Sequence, residues 1–300
     1  MSHEHTHPQK NGSAEKNLLI TTLLNVIITI AEIVGGILSN SLALLSDALH
    51  NLSDAVAVFI AYLASLISRR NSSEGKTFGY KRIEILAALF NAVVLMVICI
   101  FLIYEAYQRF LHPEPVKGAI MFWVALVGLA ANLYAVILLR GQAGHSLNVK
   151  AAYLHLLGDT FSSVLVILSS VLIYFFRLYW IDPLITLFIS LYIIKEAYSI
   201  LKEAVNILMQ FTPENINLQK IKLEVEKIPE VENIHHVHVW SLNDQQVHLE
   251  CHIDLKKDFR ISETEDLRNN LKSILVKEFG ISHTTIQFEF NCCDQKSLIH

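Results

Sequence analysis

The 300-residue chain is 53% hydrophobic and only 17% charged, with a mean hydropathy of +0.42; soluble domains usually carry more charge, so the composition points to a membrane protein. A formal net charge of -4 argues against nucleic acid as a partner. The four cysteines, Cys99, Cys251, Cys292 and Cys293, are too few and too badly spaced for a disulfide framework and suit a reducing cytoplasm.

The first residues, 1–16, read as a flexible polar tail without the basic-then-apolar order of a cleaved signal peptide. Its His3-Glu4-His5-Thr6-His7 formally matches the metalloprotease pattern His-Glu-x-x-His. That chemistry needs a helix to fix both histidines, whereas this segment is followed by Pro8 and a polar stretch with Gly12 and Ser13. Two readings stay open for His3, His5 and His7: weak metal capture by a disordered tail, or no role.

Residues 17–211 read as a six-helix membrane domain. A crossing helix needs about 20 mostly apolar residues, and six stretches qualify: Leu18 to Leu38, Leu42 to Ile67, Ile83 to Tyr104, Ala119 to Leu139, Ala151 to Phe176 and Pro183 to Leu201. An even number puts both ends on one side. Arg69, Arg70, Lys76, Lys81 and Arg82 lie between spans two and three, and Arg140 and Lys150 between four and five. Lys10 and Lys16 precede the first span and Lys202 follows the last, while the opposite loops hold only Arg109, Lys117 and Arg177. By the positive-inside rule, both termini and residues 212–300 are expected in the cytoplasm.

The segment 212–300 carries 10 Lys/Arg and 15 Asp/Glu and reads as helix, strand, strand, helix, strand: a small ferredoxin-like α+β domain with its helices on one face of the sheet. Thr212-Pro213-Glu214 predicts the first helix start, with proline at the first helical position, and Ser262-x-x-Glu265 predicts a capping box opening the second. Between them, Val247, Leu249, Cys251, Ile253 and Leu255 alternate with His248, Glu250, His252 and Asp254, the pattern of a half-buried strand.

The membrane spans hold ionisable residues that need a reason, since each costs about 2.5–3.5 kcal/mol at the bilayer centre. Span two contains His50 and Asp54 and span five contains His155 and Asp159. A spacing of four stacks each pair on one helix face, and antiparallel packing of the two spans brings two imidazoles and two carboxylates together near mid-membrane. Two nitrogens and two oxygens suit a tetrahedral zinc ion, with cobalt or cadmium as alternatives, whereas calcium and magnesium prefer all-oxygen shells. Asn25, Glu32, Asp47 and Asn132 are further polar residues in the spans, to be read as supporting groups around that site or as packing and helix-end residues.

The chain resembles the cation diffusion facilitator family of proton-coupled zinc and cadmium exporters over nearly its whole length. The resemblance is carried by Ser41-Leu-Ala-Leu-Leu-Ser-Asp47-Ala-Leu-His50-Asn-Leu-Ser-Asp54, by Phe78-Gly-Tyr-Lys-Arg82-Ile-Glu84-Ile-Leu-Ala-Ala88, by His145-Ser-Leu-Asn148 through His155-Leu-Leu-Gly-Asp159, and by Asp182-Pro183. It implies that His50, Asp54, His155 and Asp159 are the transport ligands, that histidine at the first position favours zinc over cadmium, and that the chain works as a homodimer. The resemblance also implies export against protons, an exchange that fits the need of metal ligands to be deprotonated. Resemblance also points to a cytoplasmic zinc site of His235, His252 and Glu289. Strict alternation puts His235 on the side of Val237 and Val239, so His236 and His238 stand as alternatives, and thiolates of Cys292 and Cys293 as further candidates. The loop Arg140-Gly-Gln-Ala-Gly-His-Ser146 lacks the long His-rich insert of some family variants, which suggests a bacterial inner membrane; no organic cofactor is expected. The rival readings are an intramembrane metalloprotease, for which spans two and five offer no extra glutamate as general base, and a metal-sensing membrane receptor.

Overall fold

The computed structural model describes residues 11–140, 147–291 and 297–299, with side chains described from residue 20 and, in the fifth helix, from residue 153. His3, His5, His7, the loop 141–146, Cys292 and Cys293 lie outside the described residues. Six long helices run in chain order: α1 (Asn11–Ser39), α2 (Leu42–Ser68), α3 (Ile83–Leu111), α4 (Gly118–Arg140), α5 (Leu147–Phe176) and α6 (Ile181–Leu208). Each is long and apolar enough to cross a membrane. The expected spans fall inside these helices, but α3 and α6 each run seven residues further, to Leu111 and Leu208. The extensions carry Glu105 and Arg109 or Lys202 and Glu203, which an apolarity criterion rejects and a helix accepts readily.

The described residues form two compact units: those up to Ile60 with those from Asn91 to Ser199, and Ala61–Phe90 with those from Ile200 onward. In the first, an apolar core joins Ala43 and Leu44 of α2, Leu95 and Cys99 of α3, Met121 and Ala125 of α4, Val166 and Ile173 of α5, and Ile189 and Ile193 of α6. Large apolar side chains such as Phe101, Trp123, Phe161 and Phe188 face outward, as lipid-facing surfaces require. Helices α4 and α5 approach closely where Gly118 meets the backbone of Ser170 and Tyr174: a Cβ there would lie 2.9 Å from the Ser170 carbonyl oxygen.

Asp182 fixes the start of α2. Its carboxylate accepts hydrogen bonds from Ser41 Oγ at 2.5 Å and from the Leu42 N–H at 2.7 Å, capping one helix from the first turn of another. Asn40, in the turn before α2, adopts φ 59°, and the guanidinium of Arg109 donates to its carbonyl oxygen at 2.7 Å and to its side chain at 3.0 Å.

In the second unit, α7 (Leu218–Glu226), β1 (Val231–Ser241), β2 (Val247–Leu255), α8 (Glu265–Phe279) and β3 (His283–Glu289) follow in the expected order. The sheet order is β1-β2-β3, with β1 and β2 antiparallel and β2 and β3 parallel through the α8 crossover. Ile221 and Val225 of α7 and Leu271 and Leu275 of α8 pack with Leu249, Cys251, Ile253 and Leu255 of β2, the face that alternation predicts.

Both expected helix starts are displaced. Residues 212–214 precede the helix; α7 begins at Leu218 because the Asn217 side chain accepts from the N–H groups of Gln219 and Lys220, the stronger cap. Pro213 instead closes a turn, its carbonyl accepting from the Ile216 N–H at 3.0 Å. Before α8, a 3-10 turn at Ile261–Glu263 intervenes. There Glu263 Oε2 accepts from the Arg260 N–H at 2.8 Å, so the capping carboxylate belongs to Glu263 and α8 starts at Glu265.

Candidate metal centres

His50 and Asp54 lie one turn apart on α2, and His155 and Asp159 one turn apart on α5. The four side chains converge. His155 Nε2 is 3.2 Å from Asp54 Oδ2 and 3.5 Å from Asp159 Oδ2, and His50 Nε2 is 3.6 Å from Asp54 Oδ2 and 4.0 Å from Asp159 Oδ1. The imidazole centroids are 5.7 Å apart at 68°. A tetrahedral ion with bonds of about 2.0–2.1 Å separates its donors by about 3.3–3.4 Å, close to the three edges of 3.2–3.6 Å, while the fourth, through the other Asp159 oxygen, is longer at 4.0 Å. Asp54 Oδ2, Asp159 Oδ2 and His50 Nδ1 are buried without hydrogen-bond partners among the described residues, so the carboxylate oxygens are free to bind a cation. Asp159 is closed off, its side chain 3% exposed, while His155 is 38% exposed and forms the open side.

Of the supporting polar residues, Asp47 accepts from Ser162 Oγ at 2.6 Å and Glu32 from Asn51 Nδ2 at 3.1 Å. Asn132 is buried on α4 and Asn25 partly buried on α1. The sequence reading passed over Asn51, Ser162 and Glu196 of α6, which lies in the neighbourhood of His155 and Asp159. Asn51 and Ser162 carry a signal: each lies on a pair-bearing helix, next to or three residues from a candidate ligand. Glu196 carries none, because nothing in the sequence says which face of α6 turns toward α5.

The second cluster joins all three strands. His235 Nε2 lies 3.2 Å from Glu289 Oε2, and His252 Nδ1 lies 2.8 Å from Glu289 Oε1. Gln287 Nε2 donates to Glu289 Oε1 at 2.7 Å. His235 Nδ1 is 3.0 Å from Asn233 Oδ1, an amide oxygen that accepts from a proton placed on Nδ1. Nε2 then faces a carboxylate oxygen across 3.2 Å, an arrangement suited to a shared proton or a bound cation; neither atom has a hydrogen-bond partner among the described residues.

The alternation conflict at His235 is resolved by a β-bulge. Register between β1 and β2 shifts between His235 and His238, and His236 adopts φ 51°. The extra residue changes the phase of the strand. Ile234, Val237 and Val239 all enter the core, while His235 turns to the opposite face, directly across from His252. His236 stacks on the His252 ring at 4.7 Å, and His238 pairs across the ladder with Glu250; neither joins the His235, His252 and Glu289 group. Elsewhere in the domain, burial pushes the Cys251 thiol up to about 12. Burial, and then the neighbouring His283, hold His248 below the usual imidazole range.

Fold and clusters together define a multi-pass membrane protein with one His–carboxylate centre between helices and another in an appended α+β domain. Residues 18–209 match the model of the cation efflux transmembrane domain, and residues 213–290 that of the cation efflux protein cytoplasmic domain. The chain belongs to the cation efflux family, a family of transporters. It is 38% identical to the cadmium, cobalt and zinc/H(+)-K(+) antiporter of Bacillus velezensis over 96% of this chain and 92% of that protein. It is also 38% identical to the metal cation efflux system protein CzcD of Cupriavidus metallidurans and to the zinc transporter ZitB of Pectobacterium atrosepticum, in both cases over 98% of this chain and 91% of the relative.

Proposed function

We infer that this chain exports Zn2+, with Cd2+ and Co2+ as related cargo, from the cytoplasm in exchange for protons, and that His50, Asp54, His155 and Asp159 are its transport ligands. The observation that carries this reading is the convergence of those four side chains, with three of their four nitrogen–oxygen separations near those of a tetrahedral transition-metal ion. Family membership, the names of the relatives and the apolar length of the six helices support it. Loop charges put both termini and the α+β domain in the cytoplasm, and the similarity to bacterial proteins favours a bacterial inner membrane. The working unit is a homodimer, and the domains are 17–211 for transport and 212–300 for cytoplasmic metal binding and dimerisation.

The four ligands bind metal only when deprotonated. Opened to the cytoplasm they take Zn2+; opened to the more acidic outer side they take protons instead and release it, in an alternating-access cycle around a fixed site. Four protein donors complete a tetrahedral shell and leave no position for a catalytic water, so the chain is a transporter and not an enzyme. His235, His252 and Glu289 hold a second zinc that reports cytoplasmic metal by favouring the closed arrangement of the paired domains.

The test is reconstitution into vesicles with an imposed pH gradient and measurement of zinc uptake against competing cadmium, cobalt and manganese. Uptake that ignores collapse of the gradient refutes antiport, and preference for manganese refutes the imidazole-based site.

A further inference from the structure

Glu32 on α1 is 1% exposed, and the ligand set does not use it. Its Oε2 accepts from Asn51 Nδ2, while its Oε1 has no hydrogen-bond partner among the described residues. That oxygen points at α4, where Gly128 leaves it room: a Cβ at 128 would lie 2.8 Å away. One turn along α4, the Asn132 side chain is 1% exposed, and neither its nitrogen nor its oxygen has a hydrogen-bond partner among the described residues; the same holds for Asn51 Oδ1. Packing alone does not keep a carboxyl and two amides in the middle of membrane helices with hydrogen bonds unmade, because an apolar residue of similar size is less costly there. Groups so placed are suited to hold water and an exchangeable proton.

Glu32 is also linked to the metal centre without touching it. Asn51, whose Nδ2 donates to Glu32 Oε2, directly follows His50 on α2. Helix α4 offers no Asp, Glu, His, Lys or Arg before Arg140 at its end. When a divalent ion leaves the four-ligand site, Asp159 loses its counter-charge, and the negative potential at Glu32 grows.

We propose that Glu32 is a proton-binding site of the transport cycle, distinct from the metal ligands, that loads a proton as the metal leaves and gives it up as the metal binds. The step is proton transfer alone: a carboxylate oxygen takes a proton from hydronium and leaves water, and the reverse occurs on metal entry. The proposal rests on the antiport reading above.

The experiment measures zinc binding and proton-coupled zinc flux in parallel for the wild type, E32Q, E32D and D159A. Expected for E32Q is zinc affinity close to wild type, with the stimulation of uptake by a pH gradient cut by about tenfold, while E32D keeps the stimulation. Either of two results overturns the proposal: E32Q with wild-type gradient dependence, or E32Q and E32D both losing zinc affinity, which would make Glu32 part of the metal site or its scaffold. Should E32Q fail to fold, Asn132→Leu carries the test, with the same loss of stimulation expected and unchanged stimulation refuting it. Full zinc binding by D159A would sink the ligand assignment instead, while a wild type indifferent to the gradient would sink antiport and this proposal with it.

Discussion

Replacing Asp159 with asparagine keeps the shape of the transport centre and removes one of its two charges. The carboxylate lies 4.0 Å from His50 Nε2 and 3.5 Å from His155 Nε2, and its side chain is 3% exposed, so water cannot substitute for it. Structural zinc sites bind with about 10–16 kcal/mol, and an equal quarter per ligand is about 2.5–4 kcal/mol. At 1.4 kcal/mol per decade, the zinc Kd should rise by about two to three orders of magnitude. The folded state should not suffer, because the substitution also removes a buried charge whose desolvation opposes folding in the absence of metal. The assay is competitive zinc titration of the purified protein in an E289Q background, so that the second centre does not contribute, together with thermal unfolding without metal. A D159N variant that binds zinc with a Kd within about threefold of its parent, less than 1 kcal/mol, would refute the tetrahedral reasoning. A variant that unfolds below its parent without metal would show that Asp159 holds the helices together.

Glu289→Gln should leave zinc affinity at the transport centre unchanged and abolish zinc-dependent protection of β1–β3 from amide hydrogen exchange, because Glu289 touches both histidines of the trio. Asp182→Ala strips the acceptor from Ser41 Oγ and the Leu42 N–H; two buried donors at about 1–3 kcal/mol each give a destabilisation of about 2–6 kcal/mol, readable by chemical unfolding. His248 binds protons less readily folded than unfolded, so the unfolded state gains protons first as pH falls through about 6.5. The domain should therefore lose stability on acidification, and His248→Gln should flatten that slope in thermal unfolding. Cys251, with its thiol pushed up to about 12, should resist alkylation at neutral pH until the protein is unfolded, as followed by mass spectrometry.

Six apolar runs, two i,i+4 His–Asp pairs and an alternating β2 are strong local periodicities, and the chain carries all of them openly. Features that depend on competition between neighbouring residues were harder to read. Thr212-Pro213 is a plausible helix start until Asn217, five residues on, provides a better acceptor for orphan N–H groups. Ser262 reads as a cap until Glu263 binds the Arg260 N–H first. The placement of His235 against the expected alternation depends on one residue, His236, adopting a left-handed backbone conformation, which no side-chain pattern announces. Asp182 was visible only as part of a motif, because its acceptor contacts reach a helix about 140 positions away in sequence.

The distribution of candidate donors between elements fits the different roles proposed for the two centres. In the membrane unit each helix contributes one imidazole and one carboxylate, so a small displacement of α2 against α5 splits the shell into two halves that each hold a divalent ion poorly. Release needs no ligand to be torn from its own helix. In the α+β domain the three donors sit on β1, β2 and β3, which are paired in one sheet with His235 directly opposite His252. Separating those donors means breaking the sheet, which costs many backbone hydrogen bonds at once. A centre that parts along a helix seam suits the proposed cargo site, and a centre locked into a sheet suits the proposed resident ion.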